Sequence, residues 1–324
     1  MKTDRIIAGA LIGLCFASVL TGFMFQRTPG ASEEVSSDSS SVMSWGGSAL
    51  GGRKADIAVI DISGAIMYGE SGGFNSSGAS ANQLLPILDK IEKDGVKGVL
   101  LRLNSPGGTA SASQAIYEKI MSMRKNKGVK FYSFMQDVAA SGAYYIASAC
   151  DVIYANPSTL TGSIGVIMQV PNYTDLSNKI GVQTITIKSG KFKDIGNGAR
   201  KMTDDEKTLL QVLINDTYGE FVKAVARGRK MPESTVRQLG DGRIYTGNQA
   251  KANKLVDKLG TEADTINDLA KLINVSGEPK LKNYTKQSWE KLFDVSAKSF
   301  VSGTILEAPE FSTSLNKIPL MLYK

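Results

Sequence analysis

The chain has 324 residues, 42% of them hydrophobic, and a formal net charge of +7. This length suffices for one large domain, or two small ones, whose core needs no disulfide or metal. The chain contains no histidine, which excludes a Ser-His-Asp triad and most catalytic zinc sites. Because its lysines and arginines form no dense run, we expect a solvated surface rather than a nucleic-acid groove.

The N-terminus carries an apolar run of 20 uncharged residues, Ile6–Phe25, preceded by Lys2 and Arg5. A helix of this length can cross a hydrocarbon core about 30 Å thick. A cleaved signal peptide is the alternative, but its apolar region is usually about 7–15 residues and ends at a site of small residues. Here no such site follows closely, so we predict an uncleaved transmembrane anchor. The basic residues 1–5 predict a cytoplasmic N-terminus and an extracytoplasmic remainder.

A segment rich in serine and glycine follows the anchor. Between Gly30 and Gly52 it holds eight serines and five glycines, a composition that cannot bury a core. We predict that residues 26–53 form a flexible tether and that the folded domain begins at residue 54. The two cysteines, Cys15 and Cys150, lie in apolar stretches, and we expect each to be a buried hydrophobic side chain rather than half of a disulfide.

Strands that alternate with helices make up most of residues 54–275. Apolar and β-branched runs predict strands at Ile57–Ile62, Val96–Leu103, Val129–Phe134, Val152–Tyr154, Ile164–Met168 and Val182–Ile187. Helical spacing of apolar residues predicts helices at Gln83–Asp94, Ser111–Lys125, from Ser141, Thr203–Met231, Asn248–Leu259 and Ala263–Leu272. This alternation predicts an α/β fold with βαβ units and mostly parallel strands. Residues 277–324 show no clear pattern.

A glycine-rich turn, Asn104-Ser105-Pro106-Gly107-Gly108, follows a predicted buried strand and precedes a predicted helix. Paired glycines allow a sharp turn and leave amide N–H groups uncovered. Such amides can bind an oxyanion or a phosphate. The GxxxxGK[ST] pattern is missing, which argues against phosphate. An ordinary glycine-rich turn is the alternative.

Small residues surround Ser141 in the stretch Asp137–Tyr145, at a predicted strand-to-helix turn. They would let a substrate backbone approach, and the start of the helix would place partial positive charge near the hydroxyl. Ser141 is therefore a candidate nucleophile. A helix N-cap, whose hydroxyl accepts a hydrogen bond from a nearby amide, explains the pattern equally well.

The stretch Lys188–Asp194 holds three lysines, any of which is a candidate general base. A lysine amine, whose ordinary pKa is about 10.4, serves as a base only where its surroundings favour the neutral form. A neighbouring hydroxyl would orient the amine, and the stretch Thr161–Gly165 offers Thr161 and Ser163. The simpler interpretations are a solvated loop for the three lysines and a plain turn for Thr161–Gly165. Lys188, Lys191 and Lys193 are not distinguished by the residues alone.

In their order along the chain, these features resemble the signal peptide peptidase A family, serine peptidases of the superfamily that includes crotonase and Clp protease. The resemblance rests on the anchor, the Asn104–Gly108 turn, Ala140–Tyr145, Thr161–Gly165 and Lys188-Ser189-Gly190-x-x-Lys193, and it covers residues 55–272. It is closest to the short, single-repeat form, in which one chain holds both catalytic groups. It implies a crotonase/Clp protease-like catalytic domain at residues 54–275 and a separate C-terminal segment at 276–324.

The resemblance also assigns roles to individual residues. It makes Ser141 the nucleophile and Lys193 the general base, with Ser163 hydrogen-bonded to the lysine amine. The backbone N–H groups of Gly108 and Gly142 would form the oxyanion hole. No metal or cofactor is implied. A working dyad would place Ser141 Oγ about 3 Å from Lys193 Nζ.

The implied activity is endopeptidase cleavage of remnant signal peptides and similar apolar peptides at the cell membrane. The implied partners are peptide substrates, the membrane and further copies of the chain, in an assembly of eight subunits, without nucleic acid. A catalytically inactive membrane scaffold of the same fold is the alternative. A penicillin-binding enzyme is disfavoured, because Ser122 of its Ser-x-x-Lys fragment falls within a predicted helix rather than at its start.

Overall fold

The computed structural model describes residues 55–69 and 79–285. The predicted anchor at 6–25 and the tether at 26–53 lie outside this range, as does the C-terminal segment from residue 286 onward. Among the described residues, no helix combines the length and apolarity needed to cross a bilayer.

The described residues contain ten strands and eight helices. The strands are β1 (Ile57–Ser63), β2 (Ile66–Met67), β3 (Ala79–Ser80), β4 (Gly98–Ser105), β5 (Lys130–Ala140), β6 (Val152–Ala155), β7 (Leu160–Gly162), β8 (Ile244–Thr246), β9 (Lys258–Leu259) and β10 (Leu281–Asn283). The helices are α1 (Ala81–Asp94), α2 (Ala110–Lys127), α3 (Gly142–Ser148), α4 (Thr174–Lys179), α5 (Asp204–Arg229), α6 (Glu233–Leu239), α7 (Gly247–Ala252) and α8 (Glu262–Leu272).

Eight of the strands form one sheet, and the other two, β2 and β3, pair with each other. Six run parallel in the order β10-β1-β4-β5-β6-β9. Strand β7 adds to β5 in parallel, and β8 adds to β7 in the antiparallel sense. The predicted α/β fold with mostly parallel strands is confirmed. Its finer assignment to the crotonase/Clp protease-like type stays a prediction.

Both faces of the sheet are covered, as the apolar runs require. Along β1, Ile60 and Ile62 point into the larger core cluster with α1, α2 and α3, whereas Ile57 and Val59 point into a smaller cluster with Leu269 of α8. Strand residues therefore alternate between two cores. The carboxyl ends of β4 and β5 lie at the same edge, and both strands continue there into glycine-rich turns.

Two of the predicted strands are wrong. Residues 164–168 and 182–187 form no strand in the structure. Ile164 is buried, but Ile167 is 83% exposed, and Ile185 and Ile187 are 86% and 97% exposed. Preference for strand depends on packing against a neighbour, and the described part of the chain supplies no partner strand to either segment.

Helix boundaries also differ from those predicted. Helix α1 begins at Ala81 rather than Gln83, so Pro86 lies in the second turn instead of the first. Pro86 and Asn82 are both exposed, so water can replace the hydrogen bond that Pro86 cannot donate. Helix α7 ends at Ala252, well before Leu259, because Lys254 adopts a positive φ of 60°. The capping box of Thr203 and Glu206 that opens α5 is confirmed.

Candidate active site

Ser141 occupies the turn between β5 and α3, with φ 54° and ψ −121°. This backbone region is sparsely populated for residues other than glycine and costs about 1–3 kcal/mol, so the surroundings must impose it. The Ser141 N–H donates to the Gly162 carbonyl at 2.9 Å, which fixes the turn against β7. The hydroxyl caps no amide of α3. The N-cap interpretation of Ser141 is therefore wrong, and its hydroxyl is available for chemistry.

A bulge in β5 sets where this turn falls. The pairing of β4 with β5 shifts between Leu103 and Ser105, whose partners are Met135 and Ala139. Asn104 lies at the shift: its side chain donates to the Asp137 carboxylate at 3.2 Å and accepts from the Val138 N–H at 3.4 Å. Bulges re-aim the residues that follow them. Asn104 thus supports the strand end that presents Ser141.

The glycine-rich turn packs directly against Ser141. Gly107 has φ 103°, and a Cβ there would lie 2.8 Å from the Ser141 Cβ and 2.7 Å from the Gly142 nitrogen. No side chain therefore fits at position 107. Ser105 holds the turn in place, since its hydroxyl donates to the Gly64 carbonyl at 2.6 Å and accepts from the Gly107 N–H at 3.1 Å.

Two backbone amides face the same place beside Ser141. A Cβ on Gly142 would lie 3.1 Å from the Gly108 nitrogen, so the two peptide groups are close neighbours. Within the described residues, no acceptor takes the N–H of either glycine. Gly108 cannot carry a side chain, because its Cβ would fall 1.8 Å from the Ile66 carbonyl oxygen. Paired free amides next to a hydroxyl can stabilise an oxyanion.

Strand β7 brings the Thr161–Gly165 stretch to the same site. The Thr161 hydroxyl donates to the Ala139 carbonyl at 2.7 Å, a buried bond within the sheet. Ser163 instead lines the cleft that holds Ser141, with φ 50° and its N–H bonded to the Arg243 carbonyl at 2.8 Å. Of the two candidate hydroxyls, that of Thr161 is bonded within the sheet, and Ser163 lines the cleft.

The cleft has a volume of about 600 Å³ and is mostly apolar. Its wall includes Tyr145, Val166, Ile167, Met168, Leu213 and Phe221, together with Ser141, Gly142, Gly108 and Ser163. Tyr145 is the one titratable residue among the described residues that line it, and burial raises the pKa of its hydroxyl to about 12. Tyr145 therefore stays protonated at neutral pH, and this wall of the cleft supplies no general base.

The three candidate lysines lie outside the cleft, in an exposed segment. Lys188 donates to Asp194 at 2.6 Å, and Lys191 donates to Asp205 at 2.5 Å. Among the described residues, the Lys193 ammonium has no hydrogen bond or ion pair. An ion pair favours the charged form of lysine. Lys193 is therefore the one of the three lysines that pairs with no carboxylate within the described residues.

Comparison with known proteins now gives the family. The model of "Peptidase family S49" matches residues 123–276, a range that includes Ser141, Ser163 and Lys193. A candidate protease of Methanocaldococcus jannaschii is 41% identical over 228 residues, which cover 70% of this chain and 72% of that protein. The chain belongs to peptidase family S49. The resemblance to signal peptide peptidase A, inferred from the motifs, is confirmed.

Two further relatives agree with this assignment. A candidate signal peptide peptidase SppA of Enterococcus faecium is 40% identical over 68% of this chain and 64% of its own length. The chloroplastic serine protease SPPA of Arabidopsis thaliana is 34% identical over 68% of this chain, and the match spans 33% of that protein. The chain is a serine protease of the S49 family.

Part of the cleft is not predicted by the sequence patterns. Helix α5 lines the cleft through Leu213, Thr217 and Phe221, which were assigned only to a long helix. Their spacing of four residues places them on one helix face, a signal that the sequence does contain. Asn104 was read as part of a turn, and its support of the β5 bulge could not be seen without the strand register.

Proposed function

We propose that this protein is a membrane-anchored endopeptidase in which Ser141 is the nucleophile and Lys193 is the general base. The observation that carries the proposal is the geometry of Ser141: an uncapped hydroxyl on a strained turn, beside the free amides of Gly108 and Gly142. Strained turns of this kind present the nucleophile in other serine hydrolases. The base assignment draws its support from the unpaired ammonium of Lys193.

In the first half of the reaction, the neutral amine of Lys193 takes the proton of the Ser141 hydroxyl. The serine oxygen bonds to the scissile carbonyl carbon, and the carbonyl electron pair moves onto its oxygen. The N–H groups of Gly108 and Gly142 stabilise this oxyanion. When the C–N bond breaks, the Lys193 ammonium returns its proton to the leaving amine, and an acyl ester remains on Ser141.

Water completes the second half of the reaction. The Lys193 amine takes a proton from a water molecule as that water attacks the ester carbonyl, and the same two amides stabilise the second oxyanion. The ester C–O bond then breaks, and the proton on Lys193 passes to the Ser141 oxygen. Ser163 lies at the cleft wall, where its hydroxyl can orient the amine in both halves of the cycle.

Lys193 must reach the cleft from outside it, and we place it there from a neighbouring copy of the chain. In the single chain Lys193 is exposed and does not line the cleft. The segment that precedes it carries Ile185 and Ile187, which are almost fully exposed, and Ile167 is exposed at the cleft rim. Several exposed apolar side chains in one segment are typical of an interaction surface. Packing against a second copy would bury these isoleucines and remove water from around the Lys193 amine.

The substrate class follows from the cleft wall and the proposed anchor. Apolar side chains such as Val166, Leu213 and Phe221 favour apolar residues beside the scissile bond. The anchor at Ile6–Phe25 would hold the domain at the outer face of the membrane, where cleaved signal peptides are released. The relative from Enterococcus faecium carries the name signal peptide peptidase, which supports the same substrate class here.

The test is covalent labelling with a fluorophosphonate probe, followed by peptide mapping and an assay on an apolar quenched-fluorescent peptide. We expect a single adduct on Ser141, no adduct in Ser141→Ala, and a loss of turnover of about 10⁴-fold or more in Ser141→Ala and Lys193→Ala. Ser122→Ala is the matched control and should behave as wild type, because Ser122 is exposed on α2.

Two results would contradict the proposal. An unlabelled Ser141 in an assembled, folded protein would favour the inactive scaffold of the same fold. Full turnover by Lys193→Ala would leave Ser141 as the nucleophile but remove Lys193 as its base.

A further inference from the structure

The turn that carries Lys193, residues 190–196, is held by few backbone contacts; we refer to it as the lysine turn. The Lys193 N–H donates to the Gly190 carbonyl and the Ile195 N–H to the Phe192 carbonyl, each at 3.1 Å. Both bonds lie within the turn itself. No strand of the described residues pairs with it. Its position relative to the domain must therefore be fixed by side chains.

Asp194, the residue after Lys193, is the most buried point at which the lysine turn is held; Lys191 adds only an exposed pair with Asp205. Its side chain is only 9% exposed and accepts from Lys188 at 2.6 Å and from Arg200 Nε at 2.8 Å. Arg200 Nη2 also donates to the Asp194 backbone carbonyl at 3.2 Å. The Arg200 guanidinium, with a second contribution from Lys188, holds the pKa of Asp194 well below its usual range. Asp194 therefore stays ionised at neutral pH and keeps these bonds.

The same guanidinium reaches the start of helix α5. Arg200 Nη1 donates to Glu206 Oε2 at 2.8 Å, and Nη2 donates to Oε1. The Glu206 side chain is 3% exposed and also accepts from the Thr203 N–H at 2.9 Å. Arg200 lowers the pKa of Glu206 to about 2, with help from the Thr203 amide. Arg200 therefore joins two carboxylates that belong to different segments.

Helix α5 links this pair to the cleft. The helix begins at Asp204, directly after the cap that Glu206 completes. Leu213 and Phe221, about two and a half and almost five turns further along the helix, form part of the cleft wall. The lysine turn is thus fastened to the helix that lines the cleft chiefly through Arg200, because the other link, the pair of Lys191 with Asp205, is exposed on both sides. A charge-assisted fork of this kind fixes geometry as well as charge, because the guanidinium is planar and rigid.

We infer that Arg200 is a positioning residue for the reaction: it sets the lysine turn on helix α5 so that Lys193 is presented in a fixed place for catalysis. The inference rests on the proposed function, since it gives Arg200 this role through Lys193. Arg200 touches neither the cleft nor any reacting atom; it acts through Asp194. A general base that is misplaced by about 1 Å can lower the rate about 100-fold.

The test uses Arg200→Lys in the full-length, assembled protein. Lysine keeps the charge but cannot bridge Asp194 and Glu206 with a planar fork. We expect kcat to fall about 10–100-fold while KM changes less than about two-fold. The pH–kcat profile should move to higher pH, because a misplaced amine is better hydrated and stays protonated longer. A purely structural loss would reduce the active fraction without moving that profile.

Asp194→Asn provides a second variant of similar size and should reproduce both the fall in kcat and the shift in pH profile. Arg227→Lys is the matched control on α5, because its pair with Glu118 is exposed on both sides, and it should match wild type. Wild-type kinetics in Arg200→Lys and Asp194→Asn, or a loss of kcat with an unmoved pH profile, would overturn the inference.

Lys193→Ala separates this inference from the function on which it depends. An inactive Lys193→Ala beside a fully active Arg200→Lys overturns only the positioning role. An active Lys193→Ala overturns the dyad, and the positioning role with it.

Discussion

The two residues of the proposed dyad lie in regions of opposite character. Ser141 lies between β5, β7 and the glycine-rich turn. Backbone hydrogen bonds and close packing fix the position of this turn. Lys193 lies in an exposed segment without regular structure, fastened to the domain by ion pairs. The proposed nucleophile is positioned within one chain, whereas the proposed base lies outside the cleft of that chain. Folding of one chain would therefore build the part of the site around Ser141, and assembly with a second copy would add Lys193.

After the two dyad residues themselves, the largest effect is expected on the rigid side, at the proposed oxyanion amides of Gly108 and Gly142. A Cβ at position 142 would lie 2.3 Å from Ser113 Oγ and 3.1 Å from the Gly108 nitrogen, so Gly142→Ala must move the Ser113 hydroxyl, the paired amides or both. We expect kcat to fall about 10²–10³-fold in a peptide assay. Adding Ser113→Ala removes the clashing oxygen and should restore part of the loss.

Gly219→Ala is the control for this substitution, because no atom lies within 4 Å of its added Cβ, and it should keep wild-type kcat. Equal activity of Gly142→Ala and Gly219→Ala would show that the amide of residue 142 is not used.

A smaller effect is expected where the two regions would meet. Ser163→Ala should lower kcat about 10–100-fold without changing stability, because in the proposed mechanism its hydroxyl orients the base. Thr161→Val should do the reverse: it leaves the Ala139 carbonyl without its buried donor, which costs about 1–3 kcal/mol of unfolding free energy. Kinetics and chemical denaturation of both variants check this. Identical behaviour of the two would refute the separate roles given to these hydroxyls.

On the exposed side, Ile187→Asp should weaken assembly. Placing a charge at an apolar contact costs affinity, and we expect the dissociation constant of the assembly to rise about tenfold or more. Activity would then depend on protein concentration, which size-exclusion chromatography with light scattering can follow beside the assay. Leu272→Asp alters an exposed apolar residue on α8 and serves as the control. A concentration-independent Ile187→Asp enzyme would speak against assembly through this segment.

The smallest effect concerns the ion pairs that hold the lysine turn. The pKa of Glu206 is lowered from 4.5 to about 2 in the folded state, chiefly by Arg200. A lowered carboxylate pKa stabilises the fold above pH 4.5, and that stabilisation is lost as the pH falls toward 2. Glu206→Gln should therefore lower Tm by a few degrees at pH 7, and the difference from wild type should shrink below pH 4.5. A difference that does not change with pH would mean that the charge of Glu206 contributes nothing.

The rigid region could largely be predicted from sequence, and the exposed region could not. Apolar runs such as Val96–Leu103 predicted the buried parallel strands, and the small residues around Ser141 predicted its turn. Both patterns depend on packing close to the residues themselves. The strand predicted at Val182–Ile187 failed, because β-branched composition does not reveal whether a partner strand exists. Strand register and the link through Arg200 depend on contacts between different segments of the chain, so they cannot be predicted from composition and spacing.

Complementation between two inactive variants tests the central claim most directly. Ser141→Ala and Lys193→Ala are each assembled alone, then dissociated, mixed in equal amounts and reassembled, and peptide hydrolysis is measured. If each site takes Ser141 from one copy and Lys193 from its neighbour, about a quarter of the sites regain both groups, and about a quarter of wild-type activity returns. A mixture as inactive as its components, although assembled, would contradict a site completed by a second copy.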